Sequence, residues 1–174
     1  HLNDLISKGF PADHCVLRID PIIPTADGLE KLNNVLNAAK AIHLPVKRVR
    51  ISLIDEYKHV KARLKDAGLP EIYPGRFYPN ANQIAATVRI LKKHPEFEYE
   101  TCAETKLAQA LGVSPVGCIS KKDIQILFPD ENITEQFYTN PQNRGGCCCL
   151  SCKTELLTNK KRCPHQCLYC YWRG

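Results

Sequence analysis

The stretch "DGLEKLNNVLNAAKAIHLPVKRVRISLID", residues 27–55, decides the architecture, because two periodicities meet inside it. Over 27–44, Leu29, Leu32, Leu36, Ala39 and Ile42 recur every three or four positions. That period lays one apolar stripe along a helix. Asp27 stands where an N-cap would accept first-turn amides, with Glu30 three residues on as in a capping box. Pro45 ends the run. Over 46–55, Val46, Val49, Ile51 and Leu53 give the partial period-two alternation of a strand. A helix that passes directly into a strand is the repeating unit of a parallel α/β sheet.

The same alternation extends in both directions. "HCVLRID" (14–20), bounded by "FPAD" and "PIIP", reads as a buried strand before the helix. After 55, "EYKHVKARLKDAG" (56–68) is an amphipathic helix with Tyr57, Val60 and Leu64 on one side and Gly68 after its end. "NANQIAATVRILKKH" (80–94) is a further helix, with Ile84, Val88 and Leu91 facing inward and lysines in its last turn. "FEYETCAE" (97–104) is a strand, "TKLAQALG" (105–112) a short helix, "PVGCIS" (115–120) a short strand and "KKDIQILF" (121–128) a short helix. From Pro129 onward Pro, Asn and Gly mark irregular structure.

The expected fold is therefore α/β, a partial (half) TIM-barrel-like parallel sheet with alternating helices over 1–128. A cysteine-rich, irregular segment, 129–174, is expected to pack on the same domain. With 174 residues the chain is long enough for a real core, whereas a complete eight-stranded barrel takes about 250. No internal repeat is present. The chain contains no Met, which reads as a piece of a longer protein whose start is missing.

Charged residues make up 24% and hydrophobic residues 44%, a globular balance that excludes a disordered chain. No apolar run approaches about 18 residues, so no membrane span is expected. "HLNDLISKGF" has no basic stretch followed by an apolar core and does not read as a signal peptide. The net charge of +6 is spread over "KRVR" (47–50), "KK" (92–93), "KK" (121–122) and "KKR" (160–162). Solvated faces are favoured over a nucleic-acid groove, which stays a weak alternative.

Cysteine use is the anomaly. Seven of ten fall between 147 and 170: Cys147, Cys148, Cys149, Cys152, Cys163, Cys167 and Cys170. A disulfide scaffold distributes its bridges through a small secreted chain. A dense terminal cluster after an ordinary core favours reduced thiolates binding metal, and hence a cytoplasmic setting. Cys163, Cys167 and Cys170 form C-x3-C-x2-C, with Tyr169 before the last cysteine. Three thiolates hold three irons of a 4Fe–4S cluster and leave the fourth open. An amine and a carboxylate, as in the methionine part of S-adenosylmethionine, can chelate that iron, and a reducing electron donor is then needed. Tyr169 would pack against the cofactor. The alternative is zinc held by Cys149-x2-Cys152 and Cys167-x2-Cys170, 14 residues apart, in a non-catalytic module. Iron–sulfur is preferred because zinc leaves Cys163 and Tyr169 without a role.

Polar residues gather at the carboxyl ends of the expected strands: Arg18 and Asp20, Ser52 and Asp55, Glu100, Cys102 and Glu104, and Cys118. In parallel α/β folds that edge binds ligands. The candidate catalytic residues are Asp20 and Glu104. Ser52, Asp55, Arg18 and Tyr169 are the candidate cofactor contacts, and Arg18 and Arg50 candidates to meet a carboxylate or phosphate. For each residue alone, helix capping or pairing of Asp20, Asp55 and Glu104 with Arg18, Arg48 and Arg50 is the plainer reading.

"CPHQCLYC" (163–170) resembles the cysteine motif of radical S-adenosylmethionine proteins. "LRIDPII" (17–23), "RISLIDEYK" (50–58), "YETCAE" (99–104), "GCISKK" (117–122), "NRGGCCC" (143–149) and "CPHQCLYCYW" (163–172) together resemble the prokaryotic family called domain of unknown function 1848. Its members carry the cluster at the C-terminus and are longer, with an additional N-terminal half. The resemblance implies Cys163, Cys167 and Cys170 as cluster ligands. It also implies Cys147 and Cys149 as a second cysteine pair, to which Cys148 and Cys152 add here. The second set is open between another cluster, zinc and a redox pair. No GGE-like segment, which meets the methionyl amine in many radical enzymes, is evident. The resemblance implies a cofactor and leaves the substrate unassigned; DNA lesions are substrates of related radical enzymes.

Overall fold

The computed structural model describes residues 1–102, 104–130 and 164–171. Among the described residues four strands, β1 (Leu17–Ile22), β2 (Arg48–Leu53), β3 (Glu98–Cys102) and β4 (Ser114–Val116), form one parallel sheet in the order β1-β2-β3-β4. The register runs Leu17–Val49, Val49–Tyr99 and Glu100–Ser114. Neighbours in space are thus neighbours in sequence, as in successive strands of a (β/α) barrel. The half-barrel expectation holds as an open four-stranded sheet. The pairing of β1 with β2 shifts between Ile19 and Ile22, where Asp20–Pro21 is a cis peptide.

Val49, Ile51 and Leu53 leave β2 on one face and meet the helices. Leu32, Leu36 and Ala39 come from α2 (Ala26–Ala41), Leu91 from α4 (Ala81–Leu91) and Leu111 from α5 (Thr105–Leu111). Leu36 and Val49 are wholly buried there, so this face holds the core. A second cluster lies beyond the carboxyl end of β2. It joins Ile54, Ile72 and Tyr73 to Val60 and Leu64 of α3 (Lys58–Asp66). A short helix, α1 (Leu2–Ser7), buries no residue, which is why no apolar stripe announced it.

The helix expected over 27–44 begins earlier than expected and is capped by Thr25, not Asp27. The Gly28 amide donates to Thr25 Oγ1 at 3.3 Å. A Cβ on Gly28 would lie 2.0 Å from the Ile23 carbonyl oxygen, so only glycine lets the first turn come this close to the end of β1. Helix 56–68 begins at Lys58, because Glu56 is drawn out of it. Glu56 is 1% exposed and accepts the Ile72 and Tyr73 amides at 2.7 and 2.9 Å. Asn80 and Gln83 form a reciprocal capping box on α4.

The other face of the sheet is charged. Arg48 and Arg50 of β2 alternate with the core residues and point there. Arg50 Nη2 donates to Glu100 Oε2 of β3 at 2.9 Å, their side chains only 5% and 3% exposed. Asp123, on α6 (Lys121–Leu127), accepts from Arg48 at 2.7 Å and from Arg50 at 3.0 Å. Lys122 donates to the second Glu100 oxygen at 3.0 Å. Arg48 also donates to the Asp13 carbonyl, and Arg50 to that of Cys118. Thus α6 meets the sheet through the charged face, opposite α2, α4 and α5. Among the described residues no helix is long and apolar enough to cross a membrane.

Burial alone would raise the Asp123 pKa. Hydrogen bonds from Arg50, Arg48 and Ser120 outweigh it and hold the carboxyl down at about 2. A carboxylate depressed in the folded state stabilises above its unfolded pKa of about 4 and stops doing so as pH falls through the folded value. Asp123→Asn is therefore expected to cost about 3–5 kcal/mol at neutral pH. Its unfolding free energy should also fall less steeply than that of the parent between about pH 5 and pH 2. Urea denaturation across that range checks both; an unchanged slope contradicts the pairing.

Candidate functional site

Arg18, the second residue of β1, turns to the non-core face, and Asp20 follows on the same side by strand alternation. Arg18 Nε donates to Asp20 Oδ2 at 2.8 Å. The other Asp20 oxygen accepts the Ser52 hydroxyl of β2. Burial of Arg18 would lower its pKa. The hydrogen bond to Asp20, the charge of Asp20, and Cys102 and Cys118 together hold it above its ordinary value. Arg18, Asp20, Ser52, Cys102 and Cys118 therefore occupy one neighbourhood at the carboxyl edge of the sheet. The plainer reading of Asp20, a pair with Arg18, is what the geometry contains. Arg50 is different: its guanidinium is buried against Glu100 and Asp123, so it does not present a cation to a ligand at this edge.

The described part of the tail, residues 164–171, lies over the same edge. The Asp55 amide, just past β2, donates to the Tyr171 hydroxyl at 3.0 Å. The rings of Tyr57 and Tyr171 meet edge-to-face at 5.3 Å. Arg63 of α3 donates from Nε to the Leu168 carbonyl at 2.9 Å and from Nη2 to that of Cys170. Leu168 packs on the Ile54–Val60–Leu64–Tyr73 cluster. Among the described residues the docking thus includes an apolar plug, an aromatic contact and these hydrogen bonds.

Within the tail the Cys170 amide donates to the Cys167 carbonyl at 3.1 Å, closing a tight turn around Leu168 and Tyr169. Gln166, before the turn, has φ +47°. Both thiols are half-buried, and the turn brings a soft donor pair close to the edge. Tyr169 has its pKa raised, first by a hydrogen bond with Cys167, then by burial and by the charges of Cys167, Cys170 and Asp20. The charge of Asp20 thus reaches Tyr169 of the turn. Burial pushes Tyr171 up to about 12, with Asp55, Asp20 and Tyr57 adding to the rise and the Asp55 amide opposing it.

Two thiols of the C-x3-C-x2-C set held in one turn fit a thiolate-bound metal group. The remaining expected ligands, Cys163, Cys147 and Cys149, lie outside the described residues, as do Cys148 and Cys152 and with them the zinc pairing. Among the described residues no group of three or more His, Cys, Asp or Glu side chains is placed to hold an ion. His165 is exposed.

Glu104 sits at the start of α5 with φ +49°, one Oε2 buried. It makes no side-chain cap, so the expectation that it caps a helix fails in that respect. Its charge acts on Tyr73, as do those of Asp55, Glu56 and Tyr171; burial, the largest cause, and these charges raise the Tyr73 pKa strongly. Tyr73 is 1% exposed, and its hydroxyl has no hydrogen-bond partner among the described residues. Sequence reasoning missed Tyr73, Arg63, Tyr171 and Asp123. The "LPEIYPGRFYP" link (69–79) that carries Tyr73 shows no period, and a single Arg on a polar helix looks like a solvated charge. A cleft of about 550 Å³ lies elsewhere, along Glu98, Glu100, Ser114, Val116 and Lys122; of the expected edge residues it is lined by Glu100 and not by Arg18, Asp20, Ser52, Asp55, Cys102, Glu104 or Cys118.

Fold and edge together define a parallel α/β protein whose strand termini and cysteine-bearing tail converge on one polar face. The chain belongs to the family described as Domain of unknown function (DUF1848), which it matches over residues 2–172. No curated protein and no solved structure matches it.

Arg63 spans both carbonyls of the turn, so Arg63→Ala should release the tail without unfolding the sheet. Amide hydrogen exchange is expected to rise at Cys170 and Tyr171 and to stay unchanged in β2. Equal loss of protection in both would show instead that Arg63 supports the fold.

Proposed function

We propose that this chain is part of an iron–sulfur enzyme of the radical S-adenosylmethionine type, its metal group held by Cys163, Cys167 and Cys170. The observation that carries the reading is the Cys167–Cys170 turn docked by Arg63, Leu168 and Tyr171 over the strand-edge residues Arg18, Asp20 and Ser52. When bound by three thiolates, a 4Fe–4S cluster supplies one-electron reduction to a cofactor chelated at its open iron.

The chain's own residues divide the remaining work. Asp20, fixed by Arg18 and Ser52, offers a carboxylate oriented from both sides. Carboxylates in that setting hold an ammonium or hydroxyl of a bound molecule, or take up a proton from it. Tyr169 and Tyr171 close the edge with aromatic faces on which an adenine or a substrate ring can stack. Arg18 supplies the positive charge for a carboxylate. The reading requires a reducing electron donor as a partner and leaves the substrate's chemical class open.

Anaerobic purification with iron, sulfide and zinc analysis tests it. A brown protein with iron and sulfide in matching amounts is expected, and its visible absorption should be lost in Cys167→Ala and Cys170→Ala. Stoichiometric zinc without iron would overturn the reading in favour of a zinc-binding module.

A further inference from the structure

Two cysteines that the proposed cluster does not use stand together at the same edge. Cys102 is the last residue of β3, and Cys118 lies two residues beyond β4. Parallel pairing sets Cys102 opposite Val116, so the chain after β4 turns back toward Cys102. The two Sγ atoms are 2.7 Å apart across 16 residues of sequence, and both side chains are half-buried.

Neither position is loosely held. Thr101, before Cys102, is wholly buried in the sheet, and the Arg50 guanidinium accepts no freedom at Cys118 because it donates to that carbonyl at 2.9 Å. Ser120 caps α6 two residues later through a reciprocal capping box with Asp123. The pair is thus pinned by β3 on one side and by the Arg50–Asp123 network on the other. Arg18 and the two sulfurs interact electrostatically, which places the pair in the neighbourhood of Arg18 and Asp20.

From this juxtaposition we infer that Cys102 and Cys118 form a redox-active dithiol that closes to a reversible disulfide in exchange with a low-molecular-weight disulfide. One thiolate attacks a sulfur of the small disulfide. Its S–S bond breaks, and one small thiol leaves with the electron pair and takes up a proton. The second protein thiolate attacks the mixed disulfide so formed, and the second small thiol leaves. The protein pair has then lost two electrons and two protons, which the small disulfide has gained. The bond joins β3 to the β4–α6 connection beside Arg18 and Asp20. It holds whether or not the terminal cysteines bind iron.

The whole chain is incubated, folded, with oxidised glutathione; remaining thiols are alkylated, and the protein is cut with trypsin and analysed by mass spectrometry. Lys93, Lys106 and Lys121 place Cys102 in peptide 94–106 and Cys118 in peptide 107–121, each with no other cysteine. The expected product is 94–106 linked to 107–121, lost again on treatment with reduced dithiothreitol. In Cys118→Ser, Cys102 should carry glutathione in place of the link. Both cysteines recovered only as alkylated thiols, or linked only to cysteines of 147–170, would overturn the inference. The parent chain alone decides this if the variant does not fold.

Discussion

The buried pair of Arg50 with Glu100, shared by Asp123, is the constraint on which the rest depends. A parallel sheet whose core helices lie on one face must do something with the other. Closed barrels fill it with layers of branched apolar side chains. Here β2 and β3 place Arg48, Arg50 and Glu100 there, and α6 brings Asp123 to neutralise them. Buried ions are costly to desolvate, so this network is not a source of net stability. What it supplies is register. A slip of β2 by one residue would exchange Val49 and Ile51 for Arg48 and Arg50 against the core helices. Because Arg50 reaches β3, α6 and the Cys118 carbonyl at once, it also fixes the connections that end at the carboxyl edge.

That edge gathers chemistry from distant parts of the chain. Asp20 joins Ser52 across the β1–β2 pair; Cys102 and Cys118 meet across β3 and β4; the tail docks on Asp55 and on Arg63 of α3. The tail is held mainly by backbone groups. Arg63 binds carbonyls and the Asp55 amide binds the Tyr171 hydroxyl, so this docking does not draw on the thiols of Cys167 and Cys170. A terminal segment can therefore contribute to a strand-edge site without being a strand itself.

The repeating elements were legible in the sequence because each carries its own period. Leu32, Leu36 and Ala39 marked α2, and the alternation of Val49, Ile51 and Leu53 marked β2 along with the direction of its core face. The placement of Arg18, Asp20 and Ser52 side by side was legible too, since parallel topology brings the carboxyl ends of successive strands together. What escaped was decided by tertiary contact. Asp27 and Thr25 are both acceptable caps, and the close approach of Gly28 to Ile23 selects Thr25. Arg48 and Arg50 in "KRVR" looked like a solvated basic cluster, and only the partners on β3 and α6 make them internal. Glu56 looked like the first turn of a helix, yet it is the buried acceptor that holds the link at Ile72 and Tyr73.

The central claim is that the terminal cysteines and the strand-edge residues make one site. Asp20 is not among the proposed ligands, but its charge and that of Cys167 both act on Tyr169. The most direct measurement is the electron paramagnetic resonance spectrum of the chemically reduced protein, parent against Asp20→Asn. The account predicts a reduced-cluster signal in both, with its g-values displaced by the substitution. Superimposable spectra, or no iron signal in the folded parent, would contradict it.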